Sequence, residues 1–383
     1  MTATTRALGA VAVAALIGVA ATPQGACAQG LGGGVLVQTY TFEDPQTAGV
    51  ETLRLVSVPY AASVLLGTRV SLAVDGAWAS GEATSPSGAS AHLSGPTDTQ
   101  VGVTLALGPD WLVLSADATL ATGKSTLSLE ESLVAGIVAA DLLPFAINTW
   151  GSAGSVGGSV AAATQLGAWG VGLATGYRVA GEFEPLSNLA LGYSPGDQLQ
   201  LRVAVDRNLG ASTVSFVVGY QHFSDDELVG VNLFRSGSRI QSTVSVAFPV
   251  GLRSSALVYG GVNHRSKGTL LLDQSLLGAG GDSPSQQLFL AGANLRIPVG
   301  RSSALLPSAE MRVFRAEDGA SQGWVASGGT SLDVRLTGNS TSRRLVLSPS
   351  ARMRVGNVIV EEGADTGFLG WEAGLILRLE PGR

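Results

Sequence analysis

Few residues of this chain could do chemistry together. His222-Phe223-Ser224 is the one candidate for nucleophilic catalysis. On a strand, positions i and i+2 share a face, so His222 and Ser224 would stand side by side as base and nucleophile. Asp225, Asp226 or Glu227 could orient the imidazole. The competing reading is a solvated His and Ser at a loop mouth, and the expectation is that the chain is not an enzyme. The same three acids could attract calcium, although acid runs in loops are ordinarily solvated. His92 and His264 lie far apart, and there is no Cys/His metal spacing or phosphate loop. No metal and no cofactor is expected.

The other group is charged. Arg202, Arg296, Arg312, Arg335, Arg352, Arg354 and Arg378 alternate with apolar neighbours, as do Asp206, Glu310, Asp333 and Glu372. Such a set either braces a wall through Arg–acid pairs or lines a constriction that selects solutes.

The elements that carry these residues have a period of two. In residues 198–206, Leu199, Leu201, Val203 and Val205 oppose Gln198, Gln200, Arg202, Ala204 and Asp206. In 239–248, Ile240, Val244, Val246 and Phe248 oppose Gln241, Thr243, Ser245 and Ala247. In 331–336, Leu332, Val334 and Leu336 oppose Ser331, Asp333 and Arg335. Strand side chains alternate between two faces, so each segment has one apolar and one polar side. A sandwich turns the apolar side inward, whereas a membrane barrel turns it to lipid.

Connection lengths choose between them. Strands are expected at 35–43, 50–60, 68–80, 99–107, 111–120, 157–165, 168–182, 198–208, 212–223, 238–249, 253–265, 286–298, 303–316, 325–336, 344–355 and 367–379. From residue 68 onward, tight turns at Gly108-Pro109-Asp110, Gly167, Asn208–Ala211, Pro249–Gly251 and Val299–Arg301 alternate with long gaps. Short turns on one side and long loops on the other mark a transmembrane antiparallel β-barrel. The count is about 14–16, the lower figure if Pro59 breaks the first hairpin. An even count puts both ends in the periplasm. Arginine facing lipid at mid-membrane costs about 2–4 kcal/mol, so the charged set is expected to line the lumen.

Residues 128–146 break the period and read as a loop helix. Ser128 caps it, Glu130 and Glu131 fill its first turn, Pro144 ends it, and Leu133, Ile137, Ala140 and Leu143 or neighbours form its stripe. It either packs on the barrel rim or acts as a gate or hydrophobic collection site.

Only 14% of residues are charged, 52 are Gly, the net charge is −6, and mean hydropathy is +0.31. Nucleic acid is not an expected partner. After residue 28 no apolar run approaches the length of a membrane helix, which leaves a closed barrel as the other way to satisfy a backbone in lipid. Arg6, the apolar stretch 7–21 and Ala26-Cys27-Ala28 form a secretory signal peptide, 1–28, with cleavage expected after Ala28. Residues 29–383 would be the barrel. The sole cysteine, Cys27, leaves with the signal unless it is the acylated first residue of a lipoprotein.

Three resemblances follow. Glu372-x-Gly374-x-x-Leu377-x-Leu379 resembles the terminal signal by which the barrel-assembly machinery recognises outer-membrane barrels, although the chain ends past Leu379 in Glu380-Pro381-Gly382-Arg383 and not in an aromatic. His222-x-Ser224 is similar to the pair of outer-membrane phospholipases and lipid A deacylases, which carry Asn where this chain has Asp225. The stretches TWGSAGSVGG, WGVGLATGYRV, PGDQLQLRVAVDRNLG and FVVGYQHFSDDE, between Thr149 and about Gly251, resemble the long-chain fatty-acid and aromatic-hydrocarbon transporters of the outer membrane. That resemblance implies 14 strands, hydrophobic substrates and lateral exit. The family's N-terminal hatch with its Asn-Pro-Ala motif has no counterpart here, and no binding residues carry over. The expected function is passive passage of small molecules, hydrophobic ones included, across a bacterial outer membrane, with lipids, assembly machinery and solute as partners. The alternatives are a general porin with an Arg/acid lumen and a lipid hydrolase using His222 and Ser224.

Overall fold

The computed structural model describes residues 27–108, 111–188, 191–271, 282–317, 322–336, 343–361 and 364–381. The strands are β1 (Cys27–Phe42), β2 (Thr52–Leu66), β3 (Val70–Thr84), β4 (Ser90–Pro96), β5 (Thr99–Leu107), β6 (Leu112–Leu120), β7 (Ser155–Leu166), β8 (Trp169–Ala180), β9 (Tyr193–Ser194), β10 (Gln198–Leu209) and β11 (Ser212–Phe223). They continue with β12 (Asp225–Leu228), β13 (Val231–Arg235), β14 (Arg239–Val250), β15 (Ser254–Arg265), β16 (Thr269–Leu270), β17 (Gln286–Val299), β18 (Ser303–Ala316), β19 (Gln322–Leu336), β20 (Arg343–Glu361) and β21 (Ala364–Pro381). The helices are α1 (Pro45–Ala48) and α2 (Leu129–Val138).

Antiparallel neighbours run in chain order around the wall, and β21 pairs back onto β1 from Leu31↔Leu379 to Phe42↔Phe368. The result is a closed 16-strand barrel. Closure leaves no free sheet edge, which is the condition for strands in hydrocarbon. No described helix is long and apolar enough to cross a membrane. Every expected strand is present, with ends moved by a few residues for most. β1 is the largest departure, because it begins at Cys27, where Cys27 and Ala28 pair with Leu65 and Val64.

The first hairpin survives Pro59. Proline has no N–H for a ladder. The β1–β2 register jumps from Gly33↔Tyr60 to Leu36↔Ser57, so no ladder partner is required of Pro59 on that side. The count is therefore 16, not the 14 that the transporter resemblance implies.

Short turns gather at the end where β1 begins and β21 finishes. Gly167 and Gly251 sit in two of them at φ 65° and 68°, a conformation that costs other residues a Cβ clash. The long connections gather at the other end, which also holds the two-residue link between β20 and β21. Three of these loops contribute β9, β12, β13 and β16 to a small four-stranded sheet. β4 pairs with the upper part of β3 (Trp78↔Pro96 to Thr84↔Ser90), where β5 reaches only Val70–Asp75. It extends the wall that the loop helix packs against.

Outer and inner faces follow the alternation. Val203, Phe216, Val244, Met311, Met353, Trp371 and Leu375 are exposed apolar side chains on the outside. The buried apolar cluster lies inside, toward the long-loop end. It joins Tyr40, Leu53, Leu55, Ala79, Leu93, Val325 and Phe368 of the wall to Val134, Val138, Leu142, Leu143 and Trp150 of the connection 121–154. That connection folds into the barrel.

Candidate functional site in the barrel interior

The barrel closes through a polar knot. Gln38 (β1) and Glu372 (β21) are register partners, so their side chains share the inner face. Gln38 Nε2 donates to Glu372 Oε2 at 2.9 Å. Arg354 Nη2 donates to the same oxygen at 2.7 Å. Arg354 is only 1% exposed, lies 5.8 Å from the Tyr40 ring centroid, and leaves Nε and Nη1 without protein partners. Gly374 makes room in this seam, since a Cβ there would meet Leu36 Cδ2 at 2.4 Å and Ser350 Oγ at 2.7 Å. Leu377 and Leu379 fall on the opposite face, in step with the exposed Trp371 and Leu375. The four residues resembling an assembly signal thus divide between a lumen bond, a close approach and the outer wall.

Toward the short-turn end the inner wall carries charge. Asp333 Oδ1 accepts from Ser348 Oγ at 2.6 Å and Arg378 Nη2 at 3.0 Å, while Arg296 Nη1 lies 3.6 Å from Oδ2. These contacts join β17, β19 and β21, strands two apart, which long side chains bridge on the concave face. One step up, Glu310 accepts from Tyr259 Oη at 2.6 Å and Arg312 Nε at 2.7 Å. Arg352 Nη2 reaches Ser308 Oγ at 3.4 Å. Arg296, Arg335, Arg352 and Arg378 share a cavity of about 480 Å³ with only Asp333 and Glu372 for acids. Among the described residues, neither Arg335 nor Arg352 has an ion pair. The chain is net negative, yet this wall is locally positive.

The facing wall is sparser. Arg202 and Asp206 lie on the β10 face opposite the exposed Leu201 and Val203, and among the described residues no ion pair joins them to the charged set. Arg178 pairs instead with Asp117 across β8 and β6. Arg178 and Arg378 line a larger cavity of about 870 Å³, roofed by Ala146–Thr149 of the inner loop.

Three fastenings hold that loop. Asp98 clips its two ends, with Oδ1 accepting from Gly123 N at 3.0 Å and Oδ2 from Ser152 N at 2.7 Å and Ser152 Oγ at 2.6 Å. Gln38 grips its middle, donating to Pro144 O at 2.9 Å and accepting from Ala146 N at 2.8 Å. Trp150 is buried and donates Nε1–H to Ala79 O at 3.3 Å. Phe145 meets Tyr40 edge-on at 5.1 Å.

α2 begins as expected. Ser128 Oγ accepts from Glu131 N, and the Glu131 carboxylate accepts from Ser128 N, a complete capping box. Lys124 pairs with the same carboxylate. Burial pushes the Glu131 carboxyl up, but the Lys124 and Ser128 hydrogen bonds outweigh it and hold it below its ordinary value. The helix is shorter than 128–146, ending at Val138. Leu142 and Leu143 leave it to fill the barrel, and the Pro144 and Ala146 backbone groups bond Gln38. Its buried stripe is Val134 and Val138, one residue on from Leu133 and Ile137. Gly81 sets that choice: a Cβ there would lie 2.9 Å from Val134 Cγ1 and 3.0 Å from Trp150 Cη2.

His222 and Ser224 do not join. His222 Nδ1 is 3.3 Å from Ser238 Oγ, and Ser224 Oγ accepts from Asp197 N at 2.7 Å. The neighbouring acids organise loops. Asp225 forks with Arg235, whose hydrogen bonds hold the carboxyl below its ordinary value. Asp226 accepts from Tyr193 Oη at 2.8 Å and Gly196 N at 2.7 Å. Burial, then this bond, raise the Tyr193 hydroxyl. No group of metal-ligating side chains occurs among the described residues. Gln38, Asp98, Tyr259 and Ser348 were not singled out by the sequence. Gln38, Tyr259 and Ser348 had a signal only as residues of the expected strands 35–43, 253–265 and 344–355, and Asp98 had none.

No protein-family model matches the chain, and no curated protein sequence matches it. Its barrel is similar to solved structures at low identity. OmpT of Vibrio cholerae expressed in the outer membrane is 10% identical over 94% of this chain and 99% of that one, at a TM-score of 0.43. An anion-selective porin from Comamonas acidovorans is 13% identical over 92% and 99%, at 0.40. An outer membrane channel from Pseudomonas putida F1 is 10% identical over 93% and 99%, at 0.34. Likeness at this level concerns the barrel and not what passes through it.

Proposed function

We propose that this chain is a passive diffusion channel of a bacterial outer membrane, narrowed by its inner loop and preferring small polar anions. The observation that carries the reading is the arginine excess around Asp333 and Glu372, in a cavity that the barrel wall encloses. Guanidinium groups without carboxylate partners in a low-dielectric tube raise local anion concentration. A wall brace would pair its charges, and Arg335 and Arg352 are not so paired. Arg178 and Arg378 carry positive charge into the larger cavity as well, which supports anionic cargo. Residues 1–28 would direct export, and Glu372–Leu379 would serve barrel assembly. The expected partners are lipid, assembly machinery and solute.

The test is conductance of the purified barrel in planar bilayers. A small, steady unit conductance that grows when the Gln38 grip is removed supports the reading. Silence in both proteins rejects it.

A further inference from the structure

A separate cavity of about 670 Å³ lies at the long-loop end, above the inner loop. Its floor is apolar, built by Leu133, Ile137, Leu142 and Leu143, with Phe314 from the wall. Leu133 is 53% exposed, although it stands inside the barrel mouth and not against lipid. Beside this floor stand Arg239 and Arg265, Cα partners across β14 and β15. Like charges directly opposite on a strand pair repel. Among the described residues neither has an ion pair. Asp141 is the one acid among the described lining residues, which leaves the site with a cation in excess. Arg239 is steadied by the Phe223 ring, 5.6 Å away.

We propose that this outer cavity binds a small carboxylate with an apolar, ring-sized body. The head group takes the Arg239–Arg265 pair, since guanidinium forks match carboxylate geometry and relieve the repulsion between the two. The body lies on Leu133 and Ile137. A neutral ligand leaves both guanidinium groups unmatched, and a bare anion leaves the floor wet. The volume is within the range of about 300–1,000 Å³ usual for small-molecule sites. The site does not depend on passage through the barrel, so it stands or falls apart from the channel reading.

The experiment is calorimetric titration of the full chain in detergent micelles with benzoate, acetate and benzyl alcohol, against empty micelles. Benzoate is expected to bind at least about tenfold more tightly than either of the others. Arg239→Gln with Arg265→Gln is expected to lose that advantage. If that pair does not fold, Arg239→Lys with Arg265→Lys keeps both charges and is expected to weaken benzoate by removing the forks. Asp141→Asn is expected to tighten benzoate by about two- to fivefold, by removing the competing acid. Equal binding of benzoate and benzyl alcohol, equal binding of benzoate and acetate, or affinity untouched by the arginine changes overturns the proposal.

Discussion

Gln38 and Glu372 meet at 2.9 Å across the strand pair that closes the barrel, and the same Gln38 amide holds the inner loop at Pro144 and Ala146. Closure of the wall and seating of the loop are therefore one polar unit. Gln38→Ala would remove three hydrogen bonds from a buried site and leave the Pro144 carbonyl unmet. The expected cost is about 1–3 kcal/mol, concentrated on the loop, since the β1–β21 ladder is untouched. Faster exchange of the Ala146 amide with unchanged exchange in β21 is the outcome to look for.

Gly81 and Gly102 make a matched pair of inner-wall glycines. Gly81 faces Val134 and Trp150 at contact distance, while a Cβ at Gly102 meets nothing within 4 Å. Gly81→Ala should lower the unfolding midpoint of the barrel in urea, by overpacking worth about 1–3 kcal/mol. Gly102→Ala should stay within about 0.5 kcal/mol of the parent. Equal effects would mean that the loop does not press on β3.

Acid should loosen the inner loop through Glu131. Its folded-state value is held below the ordinary 4.5, so its contribution is present above that value and is lost as pH falls through the lower, folded value. Conductance or amide exchange near Ser128 should rise in that acidic window. Glu131→Gln should remove this pH step and leave α2 fraying faster than in the parent at neutral pH, and independent of pH.

Arg335 and Asp333 separate preference from stability. Arg335 has no ion pair among the described residues, so Arg335→Gln should reduce anion preference with little change in unfolding. Asp333→Asn should do the reverse to selectivity. It frees Arg296 and Arg378, raises anion preference, and destabilises the barrel because Ser348 and Arg378 lose a charged acceptor. Reversal potentials and urea midpoints on both variants decide this.

The wall was legible in the sequence because its signal is local. Alternation at Leu199–Val205 or Leu332–Leu336 needs only neighbouring residues, and glycine turns mark where strands reverse. The same alternation set Arg296, Asp333, Arg352 and Glu372 on one side. The inner loop was not legible. Residues 139–143 continue a helical apolar pattern, yet the helix ends at Val138, and the backbone beyond it at Pro144 and Ala146 bonds a glutamine about a hundred positions earlier in the chain. Asp98 gave no signal either, because its role depends on bringing Gly123 and Ser152 together. His222 lies in β11, but the strand ends at Phe223, so Ser224 falls outside it and the shared face that the spacing implied does not form; rim loops supply each with a different partner.

The most direct test of the channel account is the zero-current potential of the reconstituted barrel under a potassium chloride gradient. The account predicts a potential displaced toward the chloride equilibrium value, and a smaller displacement when Arg335 and Arg352 are both replaced by glutamine. A potential at the potassium side, or one that those substitutions leave unchanged, would contradict it.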